Sequence, residues 1–149
     1  MAQPEPWLRG PIPGISGLLQ PAAHAFVLAL EDVEQALAGL TEDQFCQQPG
    51  GIPPLGFRVV HLGGATDRLL TYARGEALSD AQRAAAGAER DLINTCPSVD
   101  SALAGWRSAV QAALNRLAST PEADLLRPIA IGRAQLPSTV LGAIVHAAE

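Results

Sequence analysis

The sequence predicts an all-α fold, a four-helix bundle. Three observations carry that prediction. Apolar residues recur at alternating spacings of four and three along several long segments, which is the period of one helix face. Capping residues and glycine or proline breaks punctuate those segments. No convincing run of alternating strand residues interrupts them. At 149 residues and 48% apolar, the chain is one domain's worth and can bury a real core. Residues 1–149 are therefore read as a single helical domain.

The first long helix carries Leu19, Ala23, Phe26, Leu30, Val33, Leu37 and Leu40 as one stripe. Pro21 lies near its start, where a missing N–H does little harm. Thr41 and Gln44 then stand at capping-box spacing, and glycines and prolines follow, so a short helix and a loop are expected. The second long helix should start near Pro54, run to Arg74 and close at Gly75, with Leu62, Ala65, Leu69 and Tyr72 as its stripe. Ser79 and Gln82 begin a segment with few large apolar residues, a surface helix or ordered linker. The third long helix follows Ser98 and places Leu103, Trp106, Val110, Ala113 and Leu117 on one face. In TPEADLLRPIAIGRAQLP (120–137) Pro121 marks a helix start, and the proline- and glycine-broken run after it is expected to be an extended loop. A last helix begins around Ser138 and reaches Glu149 in mid-pattern without a C-cap, which suggests truncation.

Composition closes several function classes. The formal net charge of −5 argues against a nucleic-acid partner, because phosphate contacts need clustered positive charge. All ten basic residues are arginine, so no lysine is present for a Walker-type phosphate loop or Schiff-base chemistry. The N-terminal MAQPEPWLRGPIPG lacks the form of a secretory signal, and no apolar run is long enough to span a membrane. A cytoplasmic protein with no membrane partner is expected. On that basis Cys46 and Cys96 read as free thiols rather than as a disulfide.

The stretch VVHLGGATDRLL (59–70) sets a histidine and two consecutive glycines inside a helix, although each glycine costs about 1 kcal/mol there relative to alanine. The last helix repeats the oddity, with His146 among Gly142, Ala143, Ala147 and Ala148. Inward histidines of a bundle can meet at one point, and neutral imidazole is a common ligand for zinc, nickel or iron. His61 and His146 are candidate metal ligands on this reading, and His24, at the edge of the first stripe, is a third. The glycines would then admit a partner helix or a ligand close to the backbone. Close helix packing explains the same small residues without any metal. No His-x3-His or Cys-x2-Cys pair is present, and His146-x-x-Glu149 reverses the order of the Glu-x-x-His pairs of di-iron bundles.

WLRGPIPGISGLLQPAAHAF, GFRVVHLGGATDRLLTYARGEALSDAQ and GRAQLPSTVLGAIVHAAE resemble the DinB/YfiT-like superfamily over almost the full chain. That resemblance implies a four-helix bundle with a divalent metal ion held by a histidine triad. One family ligand comes from the second long helix and corresponds to His61. The other two come from a His-x3-His pair on the final helix, for which His146 is the candidate in this sequence. The resemblance further implies a homodimer and, in some members, transfer of a low-molecular-weight thiol.

Two function classes follow. One is a metal-dependent thiol transferase or hydrolase acting on a small-molecule substrate, in which Arg58 or Arg68 holds an anionic substrate group. No residue stands out as a general base. The other is a non-catalytic helical module that binds a ligand or dimerises without a complete metal site.

Overall fold

Helix α1 (Gln20–Leu37) forms where the four-three stripe predicts it and buries Ala23, Phe26 and Leu37. The computed structural model describes residues 3–149. Met1 and Ala2, which open the segment read as lacking a secretory signal, lie outside the described residues. Helix α2 (Glu42–Cys46) has the expected capping box: Thr41 accepts from the Gln44 N–H, and the Gln44 side chain accepts from the Thr41 N–H. Helix α3 (Leu55–Ala73) starts directly after Pro54 and ends at Gly75, whose φ of +78° supplies the left-handed stop. Helix α4 (Asp80–Ala88) has the predicted Ser79–Gln82 box and buries none of its residues, as its few apolar side chains require. A 3-10 segment, Glu89–Ile93, continues from it.

Helix α5 (Val99–Ala118) is capped by Ser98 and buries Ala102, Trp106, Val110, Ala113 and Leu117. Helix α6 (Val140–Ala148) is capped by the Thr139 hydroxyl, which accepts from the Gly142 N–H. Helices α3 and α1 each pack against both α5 and α6, so they face one another across a four-helix bundle. The core lies between these four, with Phe26, Leu117, Val110 and Ile144 among its fully covered side chains.

Three expectations are corrected. On α3 the buried stripe is Val59, Thr66, Leu70 and Ala73, whereas Leu62 is 40% exposed. Gly63 and Thr66 occupy turns of the inward face, so an apolar count shifts the stripe onto the wrong side of the helix.

The segment expected to be an extended loop contains a β-hairpin. Strand β1 (Pro128–Ile131) pairs antiparallel with β2 (Leu136–Thr139), with Ile131 opposite Leu136. Each strand is four residues long and only Ile129 is buried, so no alternation is visible in the sequence. The turn is made by Gly132 at φ +69° and Gln135 at φ +50°. Two backbone bonds, from the Val140 N–H to Arg127 and from the Leu141 N–H to Leu125, tie the start of α6 to the preceding segment.

Cys46 and Cys96 are joined in a disulfide, against the expectation of free thiols. Their Cα atoms are 5.7 Å apart, within the range a disulfide spans. The end of α2 and the approach to α5 meet over the N-terminus of α3, a proximity that two cysteines 50 positions apart do not advertise. Among the described residues no helix is long and apolar enough to cross a membrane.

Candidate functional site

Helix α3 places His61 and Arg68 seven residues apart, two turns along one face. Against that face comes Glu89, the first residue of the 3-10 segment after α4, with 8% of its surface exposed. Its carboxylate accepts from both side chains. The Arg68 Nη1 donates to Glu89 Oε1 at 2.5 Å, and the His61 Nδ1 donates to Glu89 Oε2 at 2.8 Å. Burial alone pushes the Glu89 carboxyl up, but the bonds from Arg68 and then His61 outweigh it and hold the group below its ordinary range.

Gly64 lies between the two donors, and its lack of a side chain admits the carboxylate. A Cβ there would stand 2.0 Å from Glu89 Oε1 and 2.8 Å from the Arg68 Nη1. Gly63 has a separate use. A Cβ at that position would meet the Ala109 Cβ at 3.4 Å, an ordinary packing distance between α3 and α5. The pair therefore separates cleanly by mutation. Gly63→Ala is expected to stabilise the protein by up to about 1 kcal/mol through helix propensity. Gly64→Ala is expected to destabilise it by roughly 1–2 kcal/mol, because a buried, doubly bonded carboxylate must retreat. Urea denaturation of the two variants checks this, and equal stabilisation by both would remove the packing role of Gly64.

His61 is also stacked on Phe57, one turn earlier, with ring centroids 5.6 Å apart and planes 11° from parallel. Glu89 can only accept, so the proton of the neutral imidazole sits on Nδ1 and the Nε2 lone pair is left to act. Among the described residues Nε2 has no hydrogen-bond partner, and the side chain is 49% exposed. The arrangement can offer one oriented nitrogen to a ligand, a proton or a metal ion.

The other predicted site residues are placed elsewhere. The His24 Nε2 donates to the Gly10 carbonyl at 3.0 Å, so this ring holds the N-terminal segment against α1. His146 is 72% exposed on α6, and its Nδ1 lies 3.5 Å from Glu149, too long to fix the ring. Gly142 makes room for its own cap, since a Cβ there would lie 2.8 Å from the Ser138 hydroxyl and 3.3 Å from that of Thr139. Arg58 is exposed and reaches the Pro53 carbonyl at 3.4 Å, while Arg68 is committed to Glu89.

His61 with Glu89 behind it fits one ligand position of a metal centre and its outer-shell partner. Among the described residues, however, no three His, Cys, Asp or Glu side chains are grouped to hold an ion. His61, His146 and His24 are thus not brought together as a triad. Glu89, 28 residues from His61 in sequence, is the neighbour that spacing does not reveal. Its signal was the glycine pair, which marked a close approach to the backbone without saying what approaches.

The family model of the DinB superfamily matches residues 25–149, a span that includes His61, Glu89 and His146. No curated protein matches the chain.

Proposed function

The chain belongs to the DinB superfamily, and from that premise we propose that it is a divalent-metal-dependent enzyme of the DinB type, a thiol transferase or hydrolase with His61 as its oriented ligand. The observation that carries the proposal is the 2.8 Å bond from the His61 Nδ1 to Glu89. A carboxylate behind a histidine fixes the tautomer, orients the ring and raises its basicity as a ligand. With His61 as one ligand, a zinc, nickel or iron ion would lower the pKa of a water or thiol, which is the chemistry that transferases and hydrolases of this kind share.

The chain's own residues divide the remaining work. Glu89 positions His61, and Arg68 holds Glu89 in place rather than binding substrate. Arg58, one turn before His61 on α3, offers a cation to an anionic group of a small-molecule substrate, such as a low-molecular-weight thiol. A homodimer belongs to the same family reading.

Elemental analysis after loading with zinc, nickel or iron and dialysis tests this. The wild-type protein is expected to retain close to one equivalent. His61→Ala should lose it with an unchanged helical circular-dichroism spectrum, and Glu89→Gln should weaken retention roughly 10–100-fold. Metal content unchanged in His61→Ala would remove that residue from the site.

A second reading has its own support. His24 and His146 are not grouped with His61, as expected of a helical ligand-binding or dimerisation module without chemistry. No metal retained by the wild-type chain, even after loading, would favour this reading over the enzyme.

A further inference from the structure

A cleft of about 570 Å³ opens between α4, the end of α3 and the β-hairpin. Its lining shares no residue with His61, Glu89 or Arg68. Tyr72, at its edge, is eleven residues beyond His61 on α3, a rise of about 16 Å. In a chain of net charge −5, three of the ten arginines line this one space: Arg83, Arg90 and Arg133.

The charges there do not balance. Arg83 is bonded to Asp80 and to the Leu78 carbonyl. Glu76, the cleft's one carboxylate, is paired with Arg74 at 2.6 Å. Arg90 and Arg133 make no ion pair and no side-chain hydrogen bond among the described residues. Both stand on defined backbone. Arg90 follows the anchored Glu89 in its 3-10 segment, and Arg133 follows Gly132, whose φ of +69° turns the hairpin. Two distant parts of the sequence thus bring two uncompensated guanidinium groups to the same cleft. Beside them, Tyr72, Leu78, Ala86 and Ala130 give it an apolar wall.

We propose that this cleft binds a small organic dianion, a phosphate monoester or a dicarboxylate with an apolar body, held by Arg90 and Arg133. Guanidinium groups meet phosphate and carboxylate oxygens through paired N–H donors, and two unpaired cations match two negative charges. The volume suits a small metabolite. Both arginines are exposed, so the affinity should fall as salt is raised.

Isothermal titration of the full chain with phenyl phosphate, phthalate and benzyl alcohol at low ionic strength tests the proposal, with no readout through His61. One of the two dianions is expected to bind saturably at one site per chain, its identity separating phosphate from dicarboxylate recognition, while benzyl alcohol does not bind. Arg90→Ala and Arg133→Ala should each weaken binding at least about tenfold. Because both residues are exposed and unpaired, the variants should keep the wild-type melting temperature. Undiminished binding by the double variant would overturn the proposal, as would failure of both dianions to bind at millimolar concentration. Tighter binding of duplex DNA through the same arginines would overturn it in favour of a polyanion surface.

Discussion

Breaking the Cys46–Cys96 bond is expected to lower the stability of the fold by about 2–4 kcal/mol. The bond closes a loop with a sequence separation of 50, which contains α3 and α4. Loop-closure entropy for a loop of this size comes to roughly 4 kcal/mol, and residual structure in the reduced unfolded chain accounts for the lower bound. The consequence should be felt locally as well. Gly56, in the first turn of α3, packs so closely under the bond that a Cβ there would lie 2.6 Å from the Cys96 Sγ. His61 follows five residues later on the same helix. Guanidinium denaturation of the oxidised protein, the reduced protein and a Cys46→Ser/Cys96→Ser variant should give one high and two low midpoints. Thiol titration of the unreduced protein in denaturant should find none of the two cysteines reactive. Two reactive thiols, or three coincident midpoints, would return the cysteines to the free state that composition suggests.

The helices are legible in the sequence because their periodicity and their caps are local signals. Thr41 with Gln44, Ser79 with Gln82, and Ser98 before α5 act through bonds within three residues of the cap, so sequence spacing contains the whole interaction. The face of α5 could be read for the same reason, since four of the five residues expected on its stripe are buried. The features that local patterns do not show depend on neighbours far away in sequence. The inward face of α3 runs through Gly63, where the packing partner is Ala109 of α5 and the glycine itself contributes no apolar signal. The hairpin strands need each other, and four residues of each are too few to show a period. The disulfide is a tertiary contact. At the site, the sequence singled out His61 and the glycines beside it, and the geometry bears out that something approaches the backbone there. At Gly63 the neighbour is the partner helix α5, as expected, but that the neighbour at Gly64 is the Glu89 carboxylate follows from where α4 ends, which no local pattern encodes.

Glu89→Ala is expected to cost about 3 kcal/mol at neutral pH, because it leaves a mostly buried guanidinium without its carboxylate. The Arg68 side chain is 16% exposed and the Glu89 side chain 9%, so water replaces the lost bonds poorly. The pH dependence identifies the ionic part of that loss. The Glu89 carboxyl is held below its ordinary value of 4.5 in the folded protein, so its contribution is complete above that value and fades as pH falls through the lower, folded one. The gap between wild type and Glu89→Gln in urea denaturation should therefore be wide at neutral pH and narrow under acid conditions. A gap that stays constant with pH would mean that the carboxylate acts by shape alone. The same residue also sets the sign of a second substitution. With Glu89 in place, a methyl group at position 64 meets its Oε1 at 2.0 Å. Once Glu89 is alanine the carboxylate is gone, and the Arg68 Nη1, 2.8 Å from that methyl but no longer anchored, is the far end of a flexible side chain that can move aside. Gly64→Ala should then turn from destabilising to stabilising by up to about 1 kcal/mol. That reversal would show that the glycine inside α3 exists to let a carboxylate reach His61 and Arg68, tying the oddity of the sequence to the orientation of the one histidine the site presents.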